Sequence, residues 1–223
     1  MTFIEFLTEY GPRLLSGALV TIQQTALAAI LAIIIALAFG LLRISRRAPL
    51  RAIATFYIEI FRGTSLLVQL FWIFYVMPLF GVTVPAFAAG FLAVGMNLGA
   101  YGAEVVRGAI QAVPKGQWEA AIAISLSPAR RMWRIILPQA LIIMLPAWGN
   151  LMIEVLKGTA LVAMISVTDL MFEARQINAS TYLSAQIFGT ALLIYYILGR
   201  FGITPLMRFI EKILARKVGR QLP

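Results

Sequence analysis

Residues 119–138 read EAAIAISLSPARRMWRIILP and interrupt a chain that is otherwise strongly apolar. A Glu-Ala-Ala triplet begins at Glu119, a small residue follows six positions later at Ser125, and an Ile-x-Leu-Pro sequence ends at Pro138. The surrounding polar and basic loop covers about residues 110–135. Because apolar runs long enough to cross a bilayer flank this loop, we expect it to join two membrane helices at an aqueous surface.

The composition places the chain in the membrane class. Of its 223 residues, 61% are hydrophobic and 13% are charged, which is far from the balance of a soluble domain. The chain has no cysteine and no histidine, which excludes disulfides, thiolate chemistry and the commonest metal ligand. Acids are also few, so we expect no catalytic or metal cluster. The sequence lacks the pattern G-x-x-x-x-G-K-[ST], so we expect no ATP and no other cofactor on this chain.

Five apolar runs reach the length of about 20 residues that a membrane-spanning helix needs. The predicted spans are residues 14–42, 53–79, 86–109, from about 135 to 154 or beyond, and 183–206. Each should be helical, because a backbone in hydrocarbon must satisfy its own hydrogen bonds. The runs are continuous rather than alternating, which argues against a barrel. The predicted fold class is therefore an all-α integral membrane protein in which residues 1–223 form one domain.

The fourth span is the least regular of the five. We expect Pro146 to bend it, and Gly158 makes residues 157–159 a weak place for a regular helix. Residues 160–167 are apolar but too short to cross a membrane. We therefore expect this span to end in a short extracytoplasmic helix before Asp169.

Basic residues are concentrated in alternate loops and so predict the orientation. One side carries Arg43, Arg46, Arg47 and Arg51, then Lys115, Arg130, Arg131 and Arg134, and finally Arg208, Lys212, Arg216, Lys217 and Arg220. The other side carries Arg13 and Arg175 beside several acids. The positive-inside rule then places the N-terminus outside and the C-terminus and the Glu119 loop in the cytoplasm, most naturally at a bacterial inner membrane. The net charge of +10 reflects this topology rather than nucleic-acid binding.

The loop around Glu119 can present a short helix to a partner. Glu119 offers one charged anchor beside Ala120 and Ala121, whose small side chains permit the close approach of another surface. We expect Gly116 before the triplet and Ser127-Pro128 after it to break the helix at both ends. Three cations follow for an acidic partner, namely Arg130, Arg131 and Arg134. The alternative is an ordinary amphipathic loop with its basic residues on phospholipid headgroups.

The pattern Glu-x-x-Arg/Lys-Gly occurs three times in or near the spans. The pairs are Glu59–Arg62, Glu104–Arg107 and Glu154–Lys157. Residues three apart on a helix are neighbours, so each pair can neutralise itself and lower the cost of charge in a membrane. For the pair at the end of the third span we favour this role alone. The other two pairs lie deeper and must face protein or a water-filled cavity, where they either hold the helices together or touch a zwitterionic solute.

The third span carries further polar and small residues. Asn97 and Tyr101 lie one turn apart, and they either make hydrogen bonds between helices or line a solute path. Gly95, Gly99 and Gly102 lie beside them. Glycines at such positions favour close packing of two membrane helices.

The Glu119 loop resembles the EAA loop of permease subunits of bacterial ABC importers. In that family the loop forms a short cytoplasmic helix that seats in a groove of the ATPase subunit. Nearly the whole chain is similar to the five-span permeases for polar amino acids. The similarity rests on EIFRGT at 59–64, AYGAEVVRG at 100–108, GQWEAA at 116–121, LPQA at 137–140, and KGTAL at 157–161 followed by Asp169 and Leu170.

The resemblance implies a type I importer fold, with partners and site residues. The coupling residues would be Gly116, Glu119, Ala120, Ala121, Ser125, Arg131, Ile135, Leu137 and Pro138. The candidate translocation path would include Glu59, Arg62, Asn97, Tyr101, Glu154, Lys157 and Thr159. The implied partners are an ATPase dimer that holds ATP and Mg²⁺, a second permease that is a sister or a second copy, and a periplasmic or lipid-anchored solute-binding protein.

Three positions depart from the pattern of that family. Ser125 and Ser65 stand where glycine and proline are common, and Gly158 stands where the family often has Asp or Asn near the solute path. The substrate is therefore open between a polar amino acid and another zwitterion, such as ectoine, an opine or a related compatible solute. The alternative function is an ATP-independent secondary transporter or channel subunit, although the sequence shows no inverted repeat.

Overall fold

The structure, a computed structural model, describes residues 3–218 apart from the side chains of 215, 217 and 218. The basic side chain of Lys217 and the whole of Arg220, both used above to predict orientation, lie outside the described residues. All regular structure in the described range is helical. The α-helices are α1 (Phe3–Arg43), α2 (Ala48–Gly63), α3 (Leu66–Phe71), α4 (Ala86–Gln111), α5 (Lys115–Ala123), α6 (Pro128–Arg131), α7 (Leu137–Thr159), α8 (Leu170–Thr181), α9 (Ser184–Ile197) and α10 (Thr204–Val218).

Short π and 3₁₀ segments join several of these helices into longer ones. The π segments are Trp72–Val76, Met132–Ile136 and Leu198–Ile203, and the 3₁₀ segments are Met77–Phe80 and Ala160–Ile165. Four helical stretches of the described chain are then long and apolar enough to cross a membrane: Phe3–Arg43, Ala86–Gln111, Pro128–Ile165 and Ser184–Leu214. The all-helical membrane fold predicted from the sequence is therefore confirmed.

The second predicted span is broken rather than continuous. Ala48–Gly63 and Leu66–Phe80 together are long and apolar enough for one span, but they meet at an angle of 105°. Thr64 and Ser65 between them have extended backbones. The span predicted over 53–79 is therefore helical on both sides of a break that the sequence analysis did not predict. A glycine followed by two hydroxyl residues gives the helix little support against this bend.

Two amide side chains accommodate this break. Gln69 Nε2 donates to the carbonyl oxygen of Phe61 at 2.9 Å and to Thr64 Oγ1 at 2.7 Å. Asn97 Nδ2, from α4, donates to the same Phe61 carbonyl at 2.8 Å and to Gln69 Oε1 at 3.1 Å. Carbonyls freed by a helix break inside a membrane need such partners. The broken span is therefore fixed to α4 by hydrogen bonds.

The core of the molecule is the packing of α1 against α4. Three fully buried alanines of α1, Ala28, Ala32 and Ala36, line this contact. On α4, a methyl group added at Gly99 would lie 2.7 Å from Ile35 Cγ2, and one added at Gly102 would lie 2.7 Å from Ala36 Cβ. Small residues on both sides thus bring the two backbones together, as expected for a membrane bundle, and the predicted close packing of α4 is confirmed.

The region after α7 contains one helix that the sequence analysis did not anticipate. Helix α7 continues through Pro146 and Gly158 and ends at Thr159. The expected short helix before Asp169 is present as Ala160–Ile165. Asp169 then caps α8, with Oδ1 accepting from the backbone N–H of Phe172 at 2.9 Å. Helix α8 is the one that the sequence analysis did not anticipate, although Asp169 at its N-cap and Glu173 in its first turn are typical of a helix start.

Candidate coupling helix and charged membrane face

Helix α5 is the short helix predicted around Glu119. It follows Pro114 and begins at Lys115, so Gly116 lies within its first turn instead of preceding it, which corrects the expected boundary. Pro114 occupies the N-cap position, with φ −53° and ψ 136°. At the other end the chain turns at Ser125, whose φ of 55° lies in the left-handed region. Ser125 therefore makes the turn at the position where the resemblance led us to expect glycine, two residues before Ser127, which occupies the N-cap position of α6 without a side-chain capping hydrogen bond.

The two alanines of the Glu-Ala-Ala triplet face opposite ways. Glu119 and Ala120 are exposed, whereas Ala121 is only 1% exposed. The expectation that both alanines would meet a partner is therefore wrong for Ala121, whose small size serves packing within this chain. Ile122 and Ile124 are 58% and 67% exposed. The acid, the exposed alanine and the two exposed isoleucines thus form a surface that would suit an apolar groove with a basic rim on another protein.

The residues after α5 hold it in place. Gln139 Nε2, in the first turn of α7, donates to Gln117 Oε1 at 3.2 Å and to the carbonyl oxygen of Ile135 at 3.0 Å. Leu137 is buried, and Ile135 and Pro138 are half-buried. The Ile-x-Leu-Pro sequence therefore lies where the loop joins the membrane bundle, and the Gln139–Gln117 hydrogen bond links α5 to α7.

Arg131 differs from the cations on either side of it. Arg130 and Arg134 are exposed, as expected for residues that meet an acidic partner. The guanidinium carbon of Arg131 instead lies 5.7 Å from the ring centroid of Trp118 in α5. This cation–π contact makes Arg131 a brace between α6 and α5.

The Glu59–Arg62 pair predicted from spacing does not form. Glu59 Oε1 lies 3.8 Å from Arg43 Nη2, and Arg43 Nε lies 3.6 Å from Glu104 Oε1. Arg107 Nη2 closes the group at 2.8 Å from Glu104 Oε2, so the pair predicted at the end of α4 is confirmed. Arg43 also donates to Thr55 Oγ1. Charges from α1, α2 and α4 are thereby neutralised together, and Arg43 is a site residue that the sequence analysis treated only as a topology signal.

Arg62 turns away from Glu59 and lies on Tyr101. Its guanidinium carbon is 5.3 Å from the centroid of the tyrosine ring, and the tyrosine hydroxyl donates weakly to the Arg62 carbonyl at 3.5 Å. Arg62 is exposed, and Tyr101 is 38% exposed. An exposed cation over an aromatic ring, inside or beside a membrane span, is a suitable contact for a carboxylate.

Glu154 and Lys157 form the ion pair predicted on α7. Lys157 Nζ lies 2.8 Å from Glu154 Oε1, and more than half of each side chain is exposed, at 63% and 56%. The pair and the end of the span at Ile165 are separated by about 15–20 Å of helix. Exposed charge at that depth needs water or a second protein surface.

Two of the predicted path residues are structural. Asn97 is 5% exposed and uses its amide group to brace the broken span. Thr159 is fully buried, and its hydroxyl donates to the carbonyl oxygen of Leu156 at 2.7 Å. Neither can line a path in this conformation, which corrects their assignment. Of the five remaining candidates, Glu59 pairs with Arg43, and the other four form two groups, Arg62–Tyr101 and Glu154–Lys157.

Among the described residues, no group of three or more acidic side chains could hold a metal ion. The arrangement instead consists of an exposed helix at one end of the molecule and exposed charges along its membrane spans.

Comparison with known proteins agrees with this geometry. Residues 28–218 match the family described as binding-protein-dependent transport system inner membrane component. A protein of Sinorhizobium fredii named a probable amino-acid ABC transporter permease is 42% identical over 92% of this chain and 86% of its own length. The L-cystine transport system permease of Bacillus subtilis is 37% identical over 95% of this chain and 88% of its own.

A solved structure shares the fold closely. The crystal structure of an amino acid ABC transporter with histidines matches with a TM-score of 0.86 and 36% identity, over 95% of this chain and 98% of that chain. The chain therefore belongs to the family of binding-protein-dependent transport system inner membrane components, and it is a permease of the ABC transporter type.

Proposed function

We propose that this chain forms the translocation pathway of an importer for an amino acid or a related zwitterion, driven by a separate ATPase. The amino-acid class is supported by the names of its relatives. Chemical support comes from the exposed faces of α2, α4 and α7, where Arg62 and Lys157 can attract a carboxylate and Glu154 an ammonium group. A site that offers both signs of charge suits a zwitterion better than an ion of one sign.

The surface of α5 that includes Glu119 and Ala120 is the proposed contact with the ATPase. It is the observation that carries the proposal, since an exposed acid beside Ile122 and Ile124 is otherwise unexplained. ATP and Mg²⁺ would be held by that partner and not by this chain. Closure of an ATPase dimer would pull α5, and through Gln139 and Arg131 it would move α7.

A second permease subunit, identical or a sister, is the proposed cover for the exposed charges of α7. Two such faces would enclose a hydrated path that one chain leaves open to lipid. A periplasmic or lipid-anchored binding protein would deliver solute on the opposite side from α5. This arrangement requires the N-terminus outside and α5 in the cytoplasm of a bacterial inner membrane, as the basic loops predict.

Charge reversal at Glu119 tests the coupling role. In proteoliposomes that contain the complete transporter, we expect Glu119→Lys to lower ATP-driven uptake at least tenfold, because it removes the anchor while leaving the membrane spans intact. The thermal unfolding temperature of the purified variant should stay unchanged, since the Glu119 side chain is exposed. Uptake of radiolabelled amino acids, together with co-purification of the ATPase, measures both effects.

Glu211→Lys is the matched control, because it makes the same charge reversal on α10, on the same proposed side of the membrane. It should preserve uptake and assembly. Normal ATP-driven uptake by Glu119→Lys would overturn the coupling role. Uptake by the wild-type chain in vesicles without any ATPase, driven by an ion gradient, would favour a secondary transporter instead.

A further inference from the structure

A cavity of about 950 Å³ lies between the end of α1 and the segment that follows α5. This volume is at the upper end of the range of about 300–1,000 Å³ that small-molecule sites occupy. Apolar side chains make most of its wall, including Ala38, Leu41 and Leu42 of α1, Ile110 of α4, and Met132 and Trp133 of the π segment. The coupling role proposed above uses the outer face of α5 and leaves this cavity without a function.

The polar residues of the cavity are cationic at one end. Arg46 and Arg131 both line it, and no carboxylate is among the lining residues that the structure describes. The Nε atom of Arg131 is buried and makes no hydrogen bond within residues 3–218. A buried guanidinium N–H without an acceptor is costly, and an anion at this end of the cavity would provide one.

The position of the cavity fits the boundary between hydrocarbon and water. Its apolar end follows α1 back to Ala38, inside the membrane span, and its cationic end reaches Ser45 and Arg46 beyond the end of α1. Trp133 is 63% exposed at the rim, and tryptophan is enriched at membrane interfaces. The cavity therefore has one end that suits an acyl chain and one that suits an anionic headgroup.

We propose that this cavity binds an anionic phospholipid of the surrounding bilayer. The phosphate would accept hydrogen bonds from Arg131 Nε and from Arg46, and an acyl chain would lie along Ala38 and Leu41. Because Arg131 also stacks on Trp118 of α5, the bound lipid would fix the position of the coupling helix. The inference rests on the proposed cytoplasmic side of α5, where anionic lipid is attracted to basic segments.

Lipid retention by the purified complete transporter tests the proposal. Native mass spectrometry would count bound phosphatidylglycerol and phosphatidylcholine with identical acyl chains, each supplied at the same concentration. We expect phosphatidylglycerol to be retained about tenfold more strongly. Arg46→Gln should reduce this preference about fivefold, in line with the contribution of one basic side chain near an anionic membrane. Arg47→Gln, an adjacent exposed arginine that does not line the cavity, should leave it unchanged.

A pair of volume variants separates binding in the cavity from attraction to the surface. Ala38→Phe places a phenyl ring in the apolar end of the cavity and should lower the retention of both lipids, whereas Ala26→Phe adds the same group at an exposed position elsewhere on α1 and should not. Equal losses in the Arg46 and Arg47 variants would overturn the proposal, because they indicate diffuse attraction. Full retention by Ala38→Phe would also overturn it.

Comparing lipid retention by the isolated chain and by the complete transporter tests the proposal in the assembled state. If the isolated full-length chain retains the lipid but the complete transporter does not, then a partner fills the cavity and the proposal fails for the working assembly. None of these measurements depends on uptake, so failure of the Glu119 test would leave them interpretable. Conversely, loss of lipid binding would leave the coupling experiment unaffected.

Discussion

At the scale of single residues, the Glu154–Lys157 pair raises the sharpest question, since its two members can neutralise each other or touch solute. Exchanging them, Glu154→Lys with Lys157→Glu, preserves an ion pair three residues apart at the same depth. We expect the exchange to restore the thermal stability that either single reversal loses. Uptake should nevertheless stay at least tenfold below wild type, because the cation and anion offered to a zwitterion have changed places.

The Arg13–Glu173 ion pair provides the matched control. It links α1 to α8, with 2.8 Å between Arg13 Nη2 and Glu173 Oε2. The exchange Arg13→Glu with Glu173→Arg should restore stability and uptake together. Uptake and thermal unfolding of all variants are measured in the same lipid mixture. Full uptake by the Glu154–Lys157 exchange would show that this pair only neutralises itself.

The buried carboxyl of Asp169 should make the free energy of unfolding of this chain depend on pH. Its side chain is fully buried, and burial raises the pKa of its carboxyl to about 6, although the Phe172 N–H and the Tyr195 hydroxyl, 3.4 Å away, favour the ionised form. A folded-state pKa above the unfolded value means that the folded state gains stability as the proton binds. From pH 7 to pH 5 the free energy of unfolding should rise by about 1 kcal/mol, and the gain should be lost as the pH returns through 6.

The variant Asp169→Asn should remove this pH dependence, because asparagine caps a helix as well as aspartate does and does not titrate. Glu173→Gln, in the first turn of the same helix, should keep the slope between pH 5 and 7. Thermal unfolding of the purified chain over this range gives both results. A wild-type curve that is flat, or that falls towards pH 5, would contradict a protonated Asp169.

Residue pairs were predictable from the sequence only within one helix. The i, i+3 rule identified Glu104–Arg107 and Glu154–Lys157, since residues three apart lie on adjacent turns of the same helix face. It failed for Glu59, because the nearest cation belongs to another helix and is 16 positions earlier in the chain at Arg43. Orientation about the helix axis decides that choice, and no local spacing reveals it.

At the scale of helices, the contact between α1 and α4 predicts a strong difference between two glycines of α4. A side chain at Gly102 would meet Ala36 Cβ at 2.7 Å and Trp148 Cη2 at 2.8 Å, whereas one at Gly108 would meet nothing within 4 Å. Gly102→Val should therefore separate the helices and destabilise the chain by about 1–3 kcal/mol or more. Gly108→Val carries the same change of helix propensity without the clash.

Thermal unfolding in mild detergent and the yield of assembled transporter measure this difference. Gly108→Val should match wild type in both. Similar unfolding temperatures for the two valine variants would mean that α1 and α4 do not approach as closely as described. A loss in both variants would instead point to β-branched residues being poorly tolerated anywhere in α4.

Helices were predictable where hydrophobicity alone decides them. Apolar length identified the membrane spans, and the glycines of α4 indicated its close packing. The break after Gly63 was missed because Gln69 and Asn97 compensate for it through hydrogen bonds that depend on the fold. Helix α8 was missed because its composition is too polar for a span, although its cap at Asp169 marks the start. The short helix around Glu119 was located correctly, but which of its alanines faces outward depends on packing against α6 and the Met132–Ile136 segment.

At the scale of the whole molecule, the proposed transport role depends on partner surfaces. We propose such partners for the charged face on α7 and for the exposed α5 surface. The composition indicated only that five spans are few for a closed path. The proposal of an ATPase and a second permease as these partners came from a motif resemblance, since no periodicity or charge pattern specifies an ATPase. The proposed orientation in the membrane, in contrast, rests on the distribution of arginine and lysine alone.

That orientation can be tested directly, because the natural chain contains no cysteine. Thr83→Cys lies in the exposed connection before α4, and Ala123→Cys lies at the exposed end of α5. With α5 in the cytoplasm, a membrane-impermeant maleimide applied to intact spheroplasts should label position 83 and spare position 123. Both positions should react after the membrane is opened. The reverse pattern would place α5 outside, where no ATPase could reach Glu119, and the coupling role would fail together with the orientation.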